Sequence, residues 1–306
     1  MTKQVRQISN VAAIDCGTNS IRLLISSDGR EVIREMEIVK LGEGVDKNKN
    51  FSPAAVERTL NALRGFKKLI DEHHVTKVRF CATSATRDAQ NREIFTKPVT
   101  DILGVAPEVI EGTQEARLSF LGATADLSRE LAPFLVVDIG GGSTEFVLGT
   151  DDVEHAVSVD IGCVRMTERH FSQDPPTLEE IESARADVNR AIDRAEQVVP
   201  IQLAKTLIAV AGTATTVAAA ALDLPAYDRF AIHGARISSN QTIEISNWFL
   251  SLKKSERAAL GYMHPGRVEV IAAGSLVLAE IMKRTKVSEF IASERDILDG
   301  IVATLR

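Results

Sequence analysis

Two stretches of this chain repeat one pattern: "VAAIDCGTNSIRLLI", beginning at Val11, and "FLVVDIGGGSTEFVL", beginning at Phe134. Each is an apolar run ending in aspartate, then x-Gly-x-x-Ser, then a second apolar run. Short apolar runs separated by glycine and serine read as strand, tight turn and strand. Agreement of apolar pattern, Asp, Gly and Ser in register argues for a duplication, with Asp15 and Asp138 each opening one of two similar halves. A chain of 306 residues is long enough for two such halves to bury a core each. The boundary is expected around Asp126 to Pro133, giving domains of residues 1–128 and 129–306, with the last helix free to pack back on the first domain.

The remaining segments alternate. "EVIREMEIVKLGEG" has the period of a half-buried third strand, and "SPAAVERTLNALRGFKKLIDEHH" that of a helix, with Ser52 as N-cap and Pro53 in the first turn. "KVRFCAT", "PEVI", "EHAVSVD", "KTLIAVAG" and "VSEFIAS" read as further strands. "NREIFTKPVTDIL", "TQEARLSFLGATADL", "TLEEIESARADVNRAIDRAEQVV", "VAAAALDL", "TIEISNWFLSLK", "EVIAAGSLVLAEIMKR" and "RDILDGIVATL" read as helices. This is the pattern of an α/β protein. The most apolar segment, "LIAVAGTATTVAAAALDL", is broken by glycine and threonines. It reads as strand, loop and buried helix rather than a membrane span.

No apolar leader is visible at the start, and Cys16, Cys81 and Cys163 form no CxxC pair. A cytoplasmic protein with reduced, buried thiols is expected, Cys16 being inert in its turn. The net charge of −6 gives no general basic surface for nucleic acid, so an anionic ligand must be held by a local cluster.

The glycine turns admit two readings. A Gly/Ser stretch serves as a linker or hairpin turn, or it presents bare amides to an anion. In the second reading Gly17, Gly140, Gly141 and Gly142 open the backbone to phosphate. Thr18, Ser20, Ser143 and Thr144 add hydroxyls, and Asn19 adds an amide. Asp15 and Asp138, at the strand ends, suit a hydrated Mg²⁺, which prefers carboxylate and water oxygens. A third small-residue loop, "VAGTATT", sets Gly212 and Thr213 before a helix start, where amides favour an anion. There is no GxxxxGK[ST] P-loop, and the residues after "GGGS" read as a strand rather than the helix of a dinucleotide site. Three such loops on two related halves resemble the ribonuclease H-like domains of the actin, Hsp70 and sugar kinase superfamily, with a cleft between them.

The resemblance narrows at "VAAIDCGTNSIRLLI", "ATSATRDAQN", "EGTQEARLSFLGA", "VVDIGGGSTEFVLG" and "DIGCVRMTERHF". In this order they are similar to the exopolyphosphatase and guanosine pentaphosphate phosphohydrolase (Ppx/GppA) family over essentially the whole chain, in a short form without further helical domains. The resemblance implies a Mg²⁺-dependent hydrolase that removes the terminal phosphate of inorganic polyphosphate, or the 5′-phosphate of pppGpp, and a homodimer. It implies Glu115 as general base, Asp138 and Glu145 as Mg²⁺ ligands or water-holding carboxylates, and Arg87 facing the phosphate. Arg22 is a similar candidate, and Arg267 fits a basic position lining the chain-binding channel. His233 and Arg236 are weaker additions to that channel. Without its neighbours Glu115 would read as a first-turn glutamate favouring the helix dipole. A kinase or nucleotide-switched scaffold of the same fold is the rival, against which the modest length leaves little room for large substrate subdomains.

Overall fold

The expected alternation is what folds, and a computed structural model describes residues 10–305. Residues 1–9, part of the start read above as leader-free, lie outside the described residues. In the first half β1 (Asn10–Cys16), β2 (Ser20–Ser27) and β3 (Arg30–Ile38) form a meander. It is followed by α1 (Val45–Asn48), α2 (Pro53–Glu72), β4 (Lys77–Ala82), α3 (Ser84–Asp88), α4 (Glu93–Leu103), β5 (Glu108–Val109) and α5 (Gly112–Thr124). The second half opens with β6 (Phe134–Ile139), β7 (Thr144–Gly149), β8 (Val153–Val159), α6 (Cys163–His170) and α7 (Leu178–Glu196). Next come β9 (Thr206–Val210), α8 (Ala211–Ala221), α9 (Arg229–Ile232), β10 (Arg236–Ser238), α10 (Ser239–Ser251) and α11 (Lys254–Ala258). It closes with α12 (Ile271–Arg284), β11 (Glu289–Ala292) and α13 (Ile297–Ala303).

Two sheets result, ordered β3-β2-β1-β4-β5 and β10-β11-β9-β6-β7-β8. The first five strands correspond one for one to β6, β7, β8, β9 and β11, and β10 is an added antiparallel edge. In both halves the first two strands pair antiparallel, and the first also pairs parallel with the strand beyond the helices. The duplicated motif is therefore the centre of each sheet. All six residues of β6 are buried, as suits a central strand covered on both faces, whereas β3 at the edge is largely exposed. Ser52 caps α2 as expected, its Oγ accepting from the Ala55 amide, and Val56, Leu60, Leu63, Phe66 and Ile70 form the buried stripe.

Local pattern left one junction and several short elements unseen, α1, α9, α11 and β10 among them. There is no loop between β9 and α8: Ala211, at φ +65°, turns the chain directly into the helix. Left-handed backbone costs a non-glycine residue roughly 1–2 kcal/mol, and it starts the helix at the strand's end. The short α3 and α6 carry too few turns for a periodic signal. Among the described residues no helix is long and apolar enough to cross a membrane.

The two halves exchange helices. α5, which follows the last strand of the first sheet, buries Ala116, Phe120 and Ala123 against Phe134, Val136, Val147 and Ile208 of the second sheet. α13 follows the equivalent strand of the second sheet and buries Ile297, Leu298, Ile301 and Val302 against Val11, Ala13 and Leu24 of the first. Where the two helices cross, a Cβ on Gly122 would lie 1.9 Å from the Asp296 carbonyl oxygen, and one on Gly300 would lie 2.0 Å from that of Leu118. Both neighbours are backbone, so no side chain can move aside. Replacing Gly300 with Val should destabilise the protein by about 1–3 kcal/mol, the range for overpacking a tight contact. A denaturant midpoint equal to that of the parent would show that the crossing tolerates a side chain.

Candidate active site

The two duplicated turns have the same internal hydrogen bond. Gly17 N donates to Ser20 O at 2.9 Å, and Gly140 N to Ser143 O at 3.0 Å. Beyond these, the amides of Thr18, Asn19, Gly141 and Gly142 donate to no protein acceptor among the described residues. The carbonyls of the second turn are all taken. The amides at the start of α6 reach back to them, from Gly162 to Gly142 O (3.2 Å), Cys163 to Gly140 O (2.9 Å) and Val164 to Gly141 O (2.9 Å). A helix N-terminus, which always has spare amides, thus holds the glycine carbonyls on one side and leaves the turn's amides available on the other. The approach is so close that a Cβ on Gly162 would meet Gly141 at 2.3 Å.

These turns line one cleft of about 100 Å³. Asp15, Gly17, Thr18, Asn19, Ser20 and Arg22 come from the first half. Asp138, Gly140, Gly141, Gly142, Ser143, Gly212, Thr213 and Arg267 come from the second, and Glu115 from the exchanged α5. The start of α8 enters from the side with the unpaired first-turn amides that suit an anion. Arg267 is held by the Gly212 carbonyl at 3.2 Å and the Thr216 hydroxyl at 3.1 Å, with its guanidinium 5.8 Å from the Tyr227 ring centre. It has no carboxylate partner among the described residues, so its charge is available to an anion.

The duplication is unequal at one position. Asp15 pairs across the hairpin with Arg22, and Asp138 pairs in the same way with Glu145. In the first half the pair neutralises itself, Arg22 donating to Asp15 from Nε at 3.0 Å and Nη2 at 2.6 Å and from Nη1 to Asp296. In the second half two carboxylates face each other in the interior. Asp138 accepts from Ser119 Oγ at 2.5 Å and Glu145 from Ser158 Oγ at 2.6 Å, while Glu145 Oε2 is buried without any partner. Burial pushes the pKa of both acids upward, and for Glu145 the neighbouring charges of Glu115 and Asp138 add to the rise.

Glu115 is buried in the first turn of α5, where Arg87 Nη1 donates to its Oε2 at 2.7 Å and to the Ile110 carbonyl at 2.8 Å. Burial raises its pKa, and Arg87 opposes that rise without cancelling it. A carboxylate so placed is poised to exchange a proton near neutral pH.

Several expected residues stand elsewhere or act otherwise. Thr144 is no phosphate donor: its hydroxyl is buried and donates to the Ile161 carbonyl at 3.0 Å. Arg22 lines the cleft, but its donors are engaged by Asp15 and Asp296, which corrects its reading as a phosphate-facing arginine. Arg87 lies behind Glu115 and is not in the cleft wall. His233 pairs with Asp126 at 3.1 Å and Arg236 with Glu289 at 2.6 Å, both away from the cleft. The three cysteines are buried and free, and burial pushes their thiols up, Cys81 to about 12 and Cys163 to about 11.

One residue goes unsingled in the motif "DIGCVRMTERHF". Arg165 is 6% exposed, and its Nε donates to Gly142 O at 2.6 Å. Its other nitrogens reach Asp46 and Asp88 of the first half, and Ser84 Oγ at 3.4 Å. It therefore joins the glycine turn of one half to α1 and α3 of the other, directly behind the cradle. The only hint in the sequence is an arginine placed soon after the glycine that α6 starts from.

The chain is similar to known proteins over nearly its whole length. The family described as "Ppx/GppA phosphatase family" matches residues 26–305. Exopolyphosphatase 2 of Mycobacterium tuberculosis is 45% identical over 315 residues, covering 97% of this chain and 99% of that protein. The crystal structure of an exopolyphosphatase-like protein superposes with a TM-score of 0.94 at 45% identity, over 97% of this chain and 98% of the other. The Aquifex aeolicus Ppx/GppA family member gives 0.81 at 31%, over 97% of each. The two halves are the related mixed α/β units expected of them. Its residues, its fold and its relatives all point one way: the chain belongs to the Ppx/GppA phosphatase family.

Proposed function

We propose that this protein is an exopolyphosphatase that hydrolyses the terminal phosphate of inorganic polyphosphate. The observation that carries the reading is the 45% identity, over nearly the full length of both chains, to a protein named Exopolyphosphatase 2. The cleft supplies a mechanism. Amides of the two turns and of the α8 N-terminus hold the terminal phosphate, and Arg267 holds the adjoining part of the chain. Glu115 takes a proton from water as its oxygen bonds to phosphorus, and the bridging P–O bond breaks with its electron pair leaving on the shortened chain. Arg87 keeps Glu115 in place and leaves it basic enough to accept that proton.

Mg²⁺ fits the Asp138–Glu145 pair. Among the described residues no three His, Cys, Asp or Glu side chains form a preformed metal cage. Mg²⁺ commonly takes only one or two carboxylates together with waters and substrate phosphates. The partnerless buried Oε2 of Glu145 and the mutual repulsion of the pair are the features a cation would relieve. When bound, Mg²⁺ supplies charge neutralisation on the phosphate oxygens. We place the protein in the cytoplasm, where three free thiols stay reduced.

Phosphate release from polyphosphate, pppGpp and ATP, measured side by side with Mg²⁺, tests the substrate; negligible release from polyphosphate would end the reading. Glu115→Gln keeps the shape but cannot take the proton, so turnover should fall by on the order of 10²–10⁴ while polyphosphate still binds. Near-parental turnover would remove Glu115 from the mechanism.

The metal site has a readout that needs no turnover. The folded-state pKa values of Asp138 and Glu145 are raised, so above the ordinary carboxylate range the folded protein holds more protons than the unfolded chain. Their contribution to stability therefore declines as pH rises through that window. Relative to an Asp138→Asn/Glu145→Gln variant, the metal-free protein should lose thermal stability as pH rises from the ordinary carboxylate range through about 6, the raised value of Asp138, and Mg²⁺ should reverse the loss. Parallel curves for the two proteins, with and without Mg²⁺, would count against the site.

Arg165 should matter through the turn it holds. Arg165→Ala leaves Asp88 without its cation, while Asp46 keeps Arg169, and should cost about 1–3 kcal/mol. Arg165→Lys keeps charge without the planar fork. It should recover part of that stability yet still raise KM about tenfold, since the Gly142 carbonyl loses the shorter of its two hydrogen bonds and keeps only that from Gly162. Parental KM in the Lys variant would reduce Arg165 to a structural tie.

A further inference from the structure

Asp138, Glu145 and Ser158 stand side by side on β6, β7 and β8, each the cross-strand partner of the next. Residues so paired have their side chains on one face of the sheet, within reach of one another. α5 crosses these three strands. Its first residue, Gly112, lies so close to Ser158 that a Cβ there would meet the serine's Cβ at 2.4 Å, and Ser119 reaches Asp138 at the other end of the row. Gly112, Glu115 and Ser119 are spaced by three and four, so one helix face presents all of them to the row.

The two serines take one oxygen from each acid. Ser119 Oγ donates its only proton to Asp138 Oδ2 at 2.5 Å, and Ser158 Oγ donates to Glu145 Oε1 at 2.6 Å. Asp138 Oδ1 accepts from no protein donor among the described residues, and Glu145 Oε2 is buried without a partner. Ser143, on the turn, is the other hydroxyl that bears on Glu145. Each carboxylate thus has one oxygen committed to a serine and one left over.

The duplication supplies the contrast. Across the first sheet the same row reads Asp15, Arg22 and Met36. The crossing glycines, Gly122 and Gly300, mark equivalent points of α5 and α13, and three residues before them stand Ser119 and Ile297. Where the aspartate faces an arginine, both of these positions are apolar. Where it faces a second acid, both are serine. The hydroxyls accompany the acidic pair and not the fold.

We propose that Ser119 and Ser158 are positioning residues that set the site's choice of cation, favouring Mg²⁺ over Ca²⁺ by leaving a single oxygen free on each carboxylate. This rests on the Mg²⁺ reading of the Asp138–Glu145 pair. Mg²⁺ is held by one or two carboxylates and keeps several waters, whereas Ca²⁺ gathers about 6–8 oxygens and often takes both from one carboxylate. A carboxylate tied through one oxygen suits the first ion and denies the second its extra ligand. The tie also orients the remaining oxygen, as hydrogen-bond partners behind metal ligands do.

The test uses the full chain without polyphosphate, with MgCl₂ and CaCl₂ as probes and the thermal midpoint as readout. The parent should be stabilised at lower concentrations of Mg²⁺ than of Ca²⁺, and a preference for Ca²⁺ would overturn the proposal. In Ser119→Ala/Ser158→Ala the Ca²⁺-to-Mg²⁺ ratio of dissociation constants should fall about tenfold, a size typical of such outer partners. The single variants disturb the interior less, and each should show roughly a threefold fall if the two contributions add. Lost packing would lower the midpoint with both metals alike and leave the ratio where it was, so a parental ratio in all three variants would overturn the proposal. Asp138→Asn/Glu145→Gln should respond to neither metal. If it responds as the parent does, the cation sits elsewhere, and the Mg²⁺ reading falls together with this proposal. If it loses both responses while the serine variants keep the parental ratio, the Mg²⁺ reading stands and this proposal alone falls.

Discussion

The backbones of α5 and α13 touch where they cross, and the positions of Glu115 and Asp296 at the cleft follow from that contact. α5 leaves the first sheet and lies on the second, so Glu115 in its first turn is carried to the Asp138–Glu145 pair. α13 makes the reciprocal move, and Asp296 at its cap reaches Arg22 in the first hairpin. Glycine at both crossing points lets the helices approach until carbonyl oxygens occupy the space of a side chain. A wider separation would move Glu115 out of reach of the phosphate turns, because strands and turns are fixed by their own ladders.

Within this frame, one unequal position separates a structural turn from a chemical one. Arg22 and Glu145 stand at the same place in the two hairpins, each opposite the aspartate that ends the preceding strand. A buried aspartate beside an arginine has a cation at home, which opposes the rise that burial brings. A buried aspartate beside a glutamate has none, and desolvation and like-charge repulsion raise the cost of ionising either. The second turn therefore favours a cation, while the first offers only amides and hydroxyls. The cleft is built from two nearly identical walls that differ in the charge they ask of a ligand.

What the sequence disclosed was local. The paired strand–turn–strand motifs, the Ser52 cap and the glycine turns all depend on residues close together in the chain, and they folded as their patterns imply. The misplaced roles depend on distant partners. Thr144 turns to Ile161 because α6 brings that carbonyl beneath the strand, and Arg22 meets an aspartate from the last helix. Arg165 finds Asp46 and Asp88 across the molecule, and nothing in its own helix foretells them. Glu115 and Arg87 were assigned through family resemblance, and the distance between them belongs to the fold alone.

The exchanged helices also bear on how such a chain could have arisen. Each sheet is covered by a helix that belongs, by connectivity, to the other, so a single half would leave an apolar face of its sheet bare and its own terminal helix without a seat. Two copies of that half remedy both faults at once by trading helices, and the trade places their hairpins on either side of a symmetric groove. Gene fusion of such a swapped pair yields one polypeptide with the groove intact. It also frees the two copies to diverge, which a symmetric assembly of identical subunits forbids. Arginine in one hairpin and glutamate in the other is a difference that identical subunits could not hold.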